Sequence, residues 1–231
     1  MFKTRSYKLE RIDTGDYTPE EFARFLREIR FINKFLGDVW AMQKTLLREI
    51  EIENLSSFSI LDVGAGSGEL LRSIAEFARK QNRKASLFGL DLNEMSAKAI
   101  FEESVNFAEI ATIRGDGLNL PFAEKSFDYA ICSLFTHHLT DENIVKLLGE
   151  MNRVARRGIF VIDLHRHKNA YTAYKIFCAV FRISPLVRED GALSILRSFT
   201  PCELELLAEK AFLKNVSVEK HFPSRLVLRG S

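Results

Sequence analysis

Apolar and polar positions along this 231-residue chain alternate between two rhythms. Short, nearly unbroken apolar runs at 58–63, 85–91, 110–114, 126–134 and 158–164 have the character of strands, the last of them apolar enough to be buried on both faces. The stretches between them carry apolar residues three and four apart. At 69–81, Leu70, Leu71, Ile74, Phe77 and Ala78 share one helical face, and further helices are predicted over 94–106 and 141–156. Strands and helices in alternation predict an α/β sheet, mostly parallel. Two short strands, 216–221 and 225–229, joined at Pro223-Ser224, read as a closing hairpin that adds one antiparallel strand.

The flanks carry clear punctuation. Thr18-Pro19-Glu20-Glu21 is a capping box with proline at the first helical position. Phe22, Phe25, Leu26, Ile29, Ile32 and Leu36 follow at helical spacing until Gly37 stops the run. Asp38 is expected to cap a second helix carrying Val39, Met42, Leu46, Leu47 and Ile50, with Trp40, Phe31 and Phe35 lining a cavity or packing. An aromatic-rich helix is expected over 170–184, and Thr200-Pro201-Cys202-Glu203 opens another that runs to about Phe212. Residues 1–17 show no period, so Lys3, Arg5, Lys8 and Arg11 read as a solvated basic face, the alternative being an arm over the cofactor. Residues 1–55 are therefore expected to be a helical extension or cap, and 56–231 one compact unit.

The chemistry gathers where the first strand meets its helix. Asp62-Val63-Gly64-Ala65-Gly66-Ser67-Gly68-Glu69 places three glycines at alternate positions after an acid. Gly64, Gly66 and Gly68 admit backbone angles closed to other residues and leave no Cβ between loop and ligand. The dinucleotide fingerprint G-x-G-x-x-G would need glycine at 69, where Glu69 stands. An acid at the strand tip suits a ligand with a positive end better than a pyrophosphate. Ligands of open α/β sheets bind beyond the carboxyl ends of the strands. Those tips carry Asp62, Asp91, Asp116, Ser133 with His137 and His138, and Asp163 with His165.

The pattern D-x-G-x-G-x-G resembles motif I of the class I S-adenosylmethionine (SAM) methyltransferases, small-molecule type. The resemblance extends through L-P-F-A-x-x-S-F-D-Y-A at 120–130 and covers about 58–164. It is nearest to the ubiquinone/menaquinone biosynthesis type. The flanks Leu9-Glu10-Arg11-Ile12-Asp13-Thr14-Gly15-Asp16 and Ser194-Ile195-Leu196-Arg197-Ser198-Phe199-Thr200-Pro201 look like methyltransferases found beside type III polyketide synthases. The resemblance implies a Rossmann-like sheet and SAM as cofactor. It places Asp62, Gly64, Ala65, Gly66 and Gly68 at the amino-acid end of SAM. Asp91 and Leu92 fall at the ribose, Asp116 and Gly117 at the adenine, and Ser133 near the transfer centre. Asp91 stands 27 positions after Gly64, against roughly 20 in the related dinucleotide unit. The alternative for Asp91 is a helix cap, which Asn93 would provide equally well. Where the family carries a Pro-Gly-Gly turn before the fifth strand, this chain has Ala155-Arg156-Arg157-Gly158, at the end of the sheet away from the ligand.

Methyl transfer is an in-line displacement, so the enzyme aligns the nucleophile and lets it lose a proton. His137 or His138 is the expected base, one facing the acceptor while the other packs or caps the following helix, with Phe135, Asp163, His165 and Arg166 lining the acceptor pocket; a structural histidine pair at a strand-to-helix turn is the alternative. His165-x-His167 lacks a supporting carboxylate or cysteine, so no metal is expected. Asn/Asp-Pro-Pro-Tyr, the mark of amino-methylating nucleic-acid enzymes, is replaced by Ser133-Leu134-Phe135-Thr136, which points to oxygen or carbon as acceptor. The expected reaction is O-methylation of an apolar, aromatic, quinol or polyketide-like small molecule. C-methylation of a quinone-type ring, RNA or protein methylation, and SAM binding without catalysis are the alternatives.

Composition narrows this little further. A net charge of +2 gives no argument for a nucleic-acid partner. Cys132, Cys178 and Cys202 are odd in number and lack C-x-x-C spacing, so reduced thiols in a cytoplasmic protein are expected. The polar opening and the most apolar window, 170–184, broken by Lys175 and Arg182, suggest neither a signal peptide nor a span. Membrane contact is expected to be peripheral at most.

Overall fold

Among the described residues, strands β1 (Ser57–Val63), β2 (Lys84–Asp91), β3 (Ile110–Arg114), β4 (Phe127–Ser133), β5 (Ala155–Leu164), β6 (Ser217–His221) and β7 (Arg225–Gly230) form one sheet. Their order is β3-β2-β1-β4-β5-β7-β6, and only β7 runs antiparallel to its neighbours. This is the expected Rossmann-like class I arrangement. The computed structural model describes residues 2–231, without the side chains of Lys34, Phe35 and Leu36, so the expected places of Phe35 and Leu36 lie outside the described residues.

Period-two alternation divides the core. Leu61, Val63, Ala130, Cys132, Ile159 and Val161 face α7 (Asp141–Val154) and α10 (Pro201–Lys210). Phe58, Ile60, Tyr129, Ile131, Phe160 and Ile162 face α5 (Glu69–Lys80) and the helix built from α3 (Asp38–Met42), a π-helical turn (Gln43–Leu47) and α4 (Arg48–Ile52). A sheet covered on both faces buries nearly every strand side chain, hence the continuous apolar runs. The chain order reverses between β1 and β4, and that switch point opens a crevice at the strands' carboxyl ends.

A third core lies over those ends. Ile32 of α2 (Pro19–Leu36) packs with Ala170, Tyr174 and Cys178 of α8 (Lys168–Val180) and with Val187 and Ile195 of α9 (Pro185–Arg197). The cover over the crevice therefore draws on residues far beyond position 55. Helix α9 was not foreseen. Its buried face carries Asp190, Ser194 and Arg197 among the apolar residues, so no clean apolar stripe marks it in the sequence.

Three further expectations are corrected. Asp38 does not cap α3; Gly37 precedes it, and Asp38 is buried against the Arg225 guanidinium. The Ala155-Arg156-Arg157-Gly158 stretch belongs to β5, which follows α7 directly. Arg5 is not solvated: its Nε donates to the Arg197 carbonyl at 2.8 Å, and its guanidinium lies 4.3 Å from the Phe199 ring centre. Its buried guanidinium fastens residues 2–17 across the top of the molecule, where they include the short helix α1 (Arg11–Thr14). No described helix is long and apolar enough to cross a membrane.

Candidate active site

The glycine turn is held open by backbone bonds and one carboxylate. Gly64 and Ala65 N–H both donate to the Leu90 carbonyl, at 2.8 and 3.1 Å, tying β1 to the tip of β2. Gly64, Gly66 and Gly68 have φ of 73°, 57° and 76°, the left-handed region that glycine enters without strain. A Cβ on Gly64 would lie 2.7 Å from the Phe135 ring, whereas one on Gly66 would meet nothing within 4 Å. Gly66 N–H donates to Asp91 Oδ2 at 3.0 Å, and Asn93 N–H to Asp91 Oδ1 at 2.9 Å. Asn93, not Asp91, caps α6 (Glu94–Glu103), accepting from Met95 and Ser96 N–H. The capping alternative for Asp91 therefore falls away, and Asp91 latches the turn.

Asp62 is 2% exposed and its Oδ1 has no hydrogen-bond partner. Burial first, and the Asp91 charge second, push its carboxyl up to about 8. An orphaned carboxylate at the base of a glycine cradle fits a ligand that carries an ammonium group. Asp62, Gly64, Ala65, Gly66, Asp91, Leu92, Ser133 and Phe135 all border one cavity of about 850 Å³. Asp116, Gly117 and Gly68 are not on its wall. Asp116 closes its own turn by accepting from Leu118 N–H at 2.8 Å, a Cβ on Gly117 would lie 2.6 Å from Val63, and Gly68 sits at the start of α5.

On the acceptor side a single turn of 3₁₀ helix, Thr136–His138, follows β4. Leu134 just before it has φ 51°, a strained conformation for a side chain of its size. Asp163, fully buried at the end of β5, accepts from Thr136 Oγ1 and from His137 N–H, and its Oδ1 lies 2.7 Å from His137 Nδ1. Burial would raise this carboxyl, but the His137 imidazole and these hydrogen bonds hold it down at about 2. His138 Nδ1 lies 2.6 Å from Asp13 Oδ1 on the N-terminal arm. The two rings are 4.3 Å apart and both border the cavity, where only one had been expected to face it.

Arg197 ties the region together. It donates to the carbonyls of His137 (3.0 Å), His138 (2.7 Å) and Lys8 (2.9 Å) and pairs with Asp13 at 2.6 Å. Glu10, 2% exposed, accepts from Ser194 Oγ at 3.0 Å through Oε2, while its Oε1 has no hydrogen-bond partner. Burial raises the Glu10 carboxyl to about 7. Asp190 accepts the N–H groups of Arg11 and Ile12, each at 3.0 Å, and so docks α1. Glu10, Asp13 and Arg197 were missed as site residues, although the Leu9–Asp16 and Ser194–Pro201 segments stand out in the sequence. The structure brings these two segments against each other at the histidine pair.

Much of the remaining wall is apolar, with Phe22, Phe25, Leu26 and Ile29 from α2, and Tyr174 and Phe177 from α8, while Arg30, Asn33 and Glu69 add polar groups. The buried Asp38–Arg225 pair also borders it. Of the expected acceptor residues, His165 lines the cavity with its imidazole pKa lowered by burial and then by Lys220. Arg166 does not: it is buried elsewhere, bonded to the Phe2 and Ser198 carbonyls and to Glu203 at 2.5 Å. Asp163 reaches the cavity only through His137. Trp40 lies edge-on to His221 at 5.6 Å and Phe31 packs on Phe177 and Phe181; neither borders the cavity.

A methyltransferase-domain family model matches residues 60–158. The chain is 34% identical over 116 residues to the ubiquinone/menaquinone biosynthesis C-methyltransferase UbiE of Rickettsia prowazekii, covering 48% of this chain and 46% of the relative. It is 26% identical over 193 residues to a demethylmenaquinone methyltransferase of Staphylococcus carnosus, covering 78% and 76%. The chain thus spans about half the length of the first relative and about three quarters of the second. Among solved structures, a SAM-dependent methyltransferase from Aquifex aeolicus has a TM-score of 0.65 at 16% identity, over 93% of this chain and 98% of that one. A magnesium protoporphyrin IX methyltransferase from Synechocystis with bound S-adenosylhomocysteine has a TM-score of 0.64 at 15% identity, over 92% and 94%. At these identities the structural likeness is one of fold.

Proposed function

We propose that this chain is a class I SAM-dependent methyltransferase that methylates a ring carbon of an apolar, hydroxylated aromatic small molecule of the quinol kind. The observation that carries this reading is a single cavity with the Asp62–Asp91 cradle at one end and two carboxylate-paired imidazoles at the other, joined by a largely apolar wall. Asp62 would meet the ammonium of SAM, Gly64, Ala65 and Gly66 its amino-acid backbone, and Asp91 its ribose. Bound there, SAM would supply the methyl group carried on its sulfonium sulfur, leaving S-adenosylhomocysteine. The chain's own part is to align the acceptor and draw the proton from its hydroxyl, which makes the ring electron-rich at the neighbouring carbon.

His137 and His138 are placed for that activation. Asp163 and Asp13 fix their orientation through Nδ1 and leave Nε2 for the acceptor. Carbon as the methylated atom is supported by the two quinone-pathway relatives. Oxygen is the second reading, favoured by the same imidazoles, since a hydroxyl that has lost its proton beside them is itself a nucleophile. The N-terminal arm and α2, together with α8 and α9, serve as the cap that shapes the acceptor half.

Methyl transfer from ¹³C-methyl SAM to a panel of hydroquinones and hydroxynaphthoquinols, followed by NMR, tests the reading. The expected product carries its label in an aryl-methyl signal. A methoxy signal would move the assignment to oxygen, and transfer only to RNA or protein would overturn the small-molecule reading. His138→Gln should leave S-adenosylhomocysteine affinity unchanged and lower turnover by roughly a hundredfold.

A further inference from the structure

We propose that Glu10, His137 and His138 form a binding site for one first-row divalent cation in the acceptor half of the cavity, and that the ion takes the acceptor's hydroxyl oxygen as a ligand. The ligand atoms of these three side chains lie within 4.8 Å of one another. Two imidazoles and one carboxylate are a donor set suited to zinc, iron, cobalt or manganese and less so to magnesium or calcium, which prefer oxygen alone. The expectation that this chain holds no metal came from His165-x-His167; the donor set here is a different one, assembled from the arm and the 3₁₀ turn.

Three observations single it out from an incidental cluster. Glu10 Oε1 is buried without a hydrogen-bond partner, while Oε2 is fixed by Ser194, so one oxygen of a buried carboxylate is left for a ligand. Each imidazole has its Nδ1 against a carboxylate, His137 on Asp163 at 2.7 Å and His138 on Asp13 at 2.6 Å. That outer pairing fixes the tautomer, orients the ring and strengthens Nε2 as a donor, as it does around metal-bound histidines. Acidic side chains also outnumber basic ones here. Among the described residues of this shell, Glu10, Asp13 and Asp163 stand against the single guanidinium of Arg197, whose Nε stays 3.7 Å from Glu10 Oε1. A divalent cation would bring positive charge into that acidic shell.

The ion would act as a Lewis acid on the acceptor. The O–H bond of the hydroxyl breaks, its proton passes to water, and the oxygen binds the cation as an oxyanion, so the imidazoles serve as ligands and the ion draws off the proton. This role rests on the reading above for the identity of the acceptor, whereas the cation site does not.

Cobalt(II) titration of the chelator-treated full chain, followed by visible absorption and calorimetry, tests it. One equivalent should bind and develop a ligand-field band. Glu10→Gln and His138→Gln should each weaken binding by at least about tenfold, and the two variants guard against one failing to fold. S-adenosylhomocysteine affinity should be equal in all three proteins, which separates this test from any failure of the SAM site. Added catechol should shift the band. Absence of stoichiometric cobalt binding, or equal affinity in both variants and the parent, would overturn the site; a band that catechol leaves unmoved would overturn the acceptor's part in it.

Discussion

Asp62 shows how one side chain links stability to ligand binding. An unfolded aspartate titrates near its ordinary value, about 3.9, while the buried one is pushed up to about 8. Between those values the folded protein binds more protons than the unfolded chain, so this residue's contribution to stability falls as pH rises. Asp62→Asn removes the titration. Without ligand, the variant's Tm should gain on the parent's as pH goes from about 5 to about 8, while S-adenosylhomocysteine binding disappears. A constant Tm difference across that range, read by scanning calorimetry, would show that the carboxyl titrates normally. Gly66→Val tests the neighbouring position. Its left-handed φ costs a side chain only about 1–2 kcal/mol, yet the side chain would be added at a residue that borders the cavity. Binding should fail while most of the stability survives, and a variant that binds as well as the parent would place the ligand elsewhere.

At the scale of elements, the N-terminal arm and α9 depend on each other. Glu10 and Asp13 of the arm meet Ser194 and Arg197 of α9, and Asp190 caps α1 from across the interface. Arg197 also holds the carbonyls of both histidines, so it positions the pair as well as the arm. Arg197→Gln should cost about 3 kcal/mol, as loss of one partner from a buried ion pair does. It should also release residues 2–17 to limited proteolysis at a rate the parent does not show; equal protection in both would mean that Arg5 and Asp190 suffice. Legibility in the sequence followed the same division. The glycine turn, the capping boxes at Thr18 and Thr200, and the strands of the sheet core follow from local chemistry and period. Helix α9 was not legible, and an arm was only the alternative reading of residues 1–17, because their burial is polar and is satisfied by partners about 180 positions away, as with Ser194 on Glu10. Asp38 was misread for the same reason, its partner Arg225 lying at the far end of the chain. Glu10, Asp13 and Arg197 sit inside segments that resemble a family, but nothing local assigns them a role.

For the whole molecule, the sheet and its two flanking cores are separate from the cover over the crevice. None of the residues in the two sheet cores precedes Val39, and the third core joins α2 to α8 and α9. A chain beginning at Thr18 should therefore keep the sheet and most of its affinity for S-adenosylhomocysteine, and lose turnover by a much larger factor, because Glu10 and Asp13 leave the acceptor half. Equal losses in both would contradict this division of labour. The division has one premise, that the Asp62–Asp91 end of the cavity holds SAM. Calorimetric titration of the parent and of Asp62→Ala with S-adenosylhomocysteine tests it most directly. One site per chain in the parent and no measurable binding in a folded Asp62→Ala variant is the predicted result; unchanged affinity in that variant, or no binding to the parent, would contradict it.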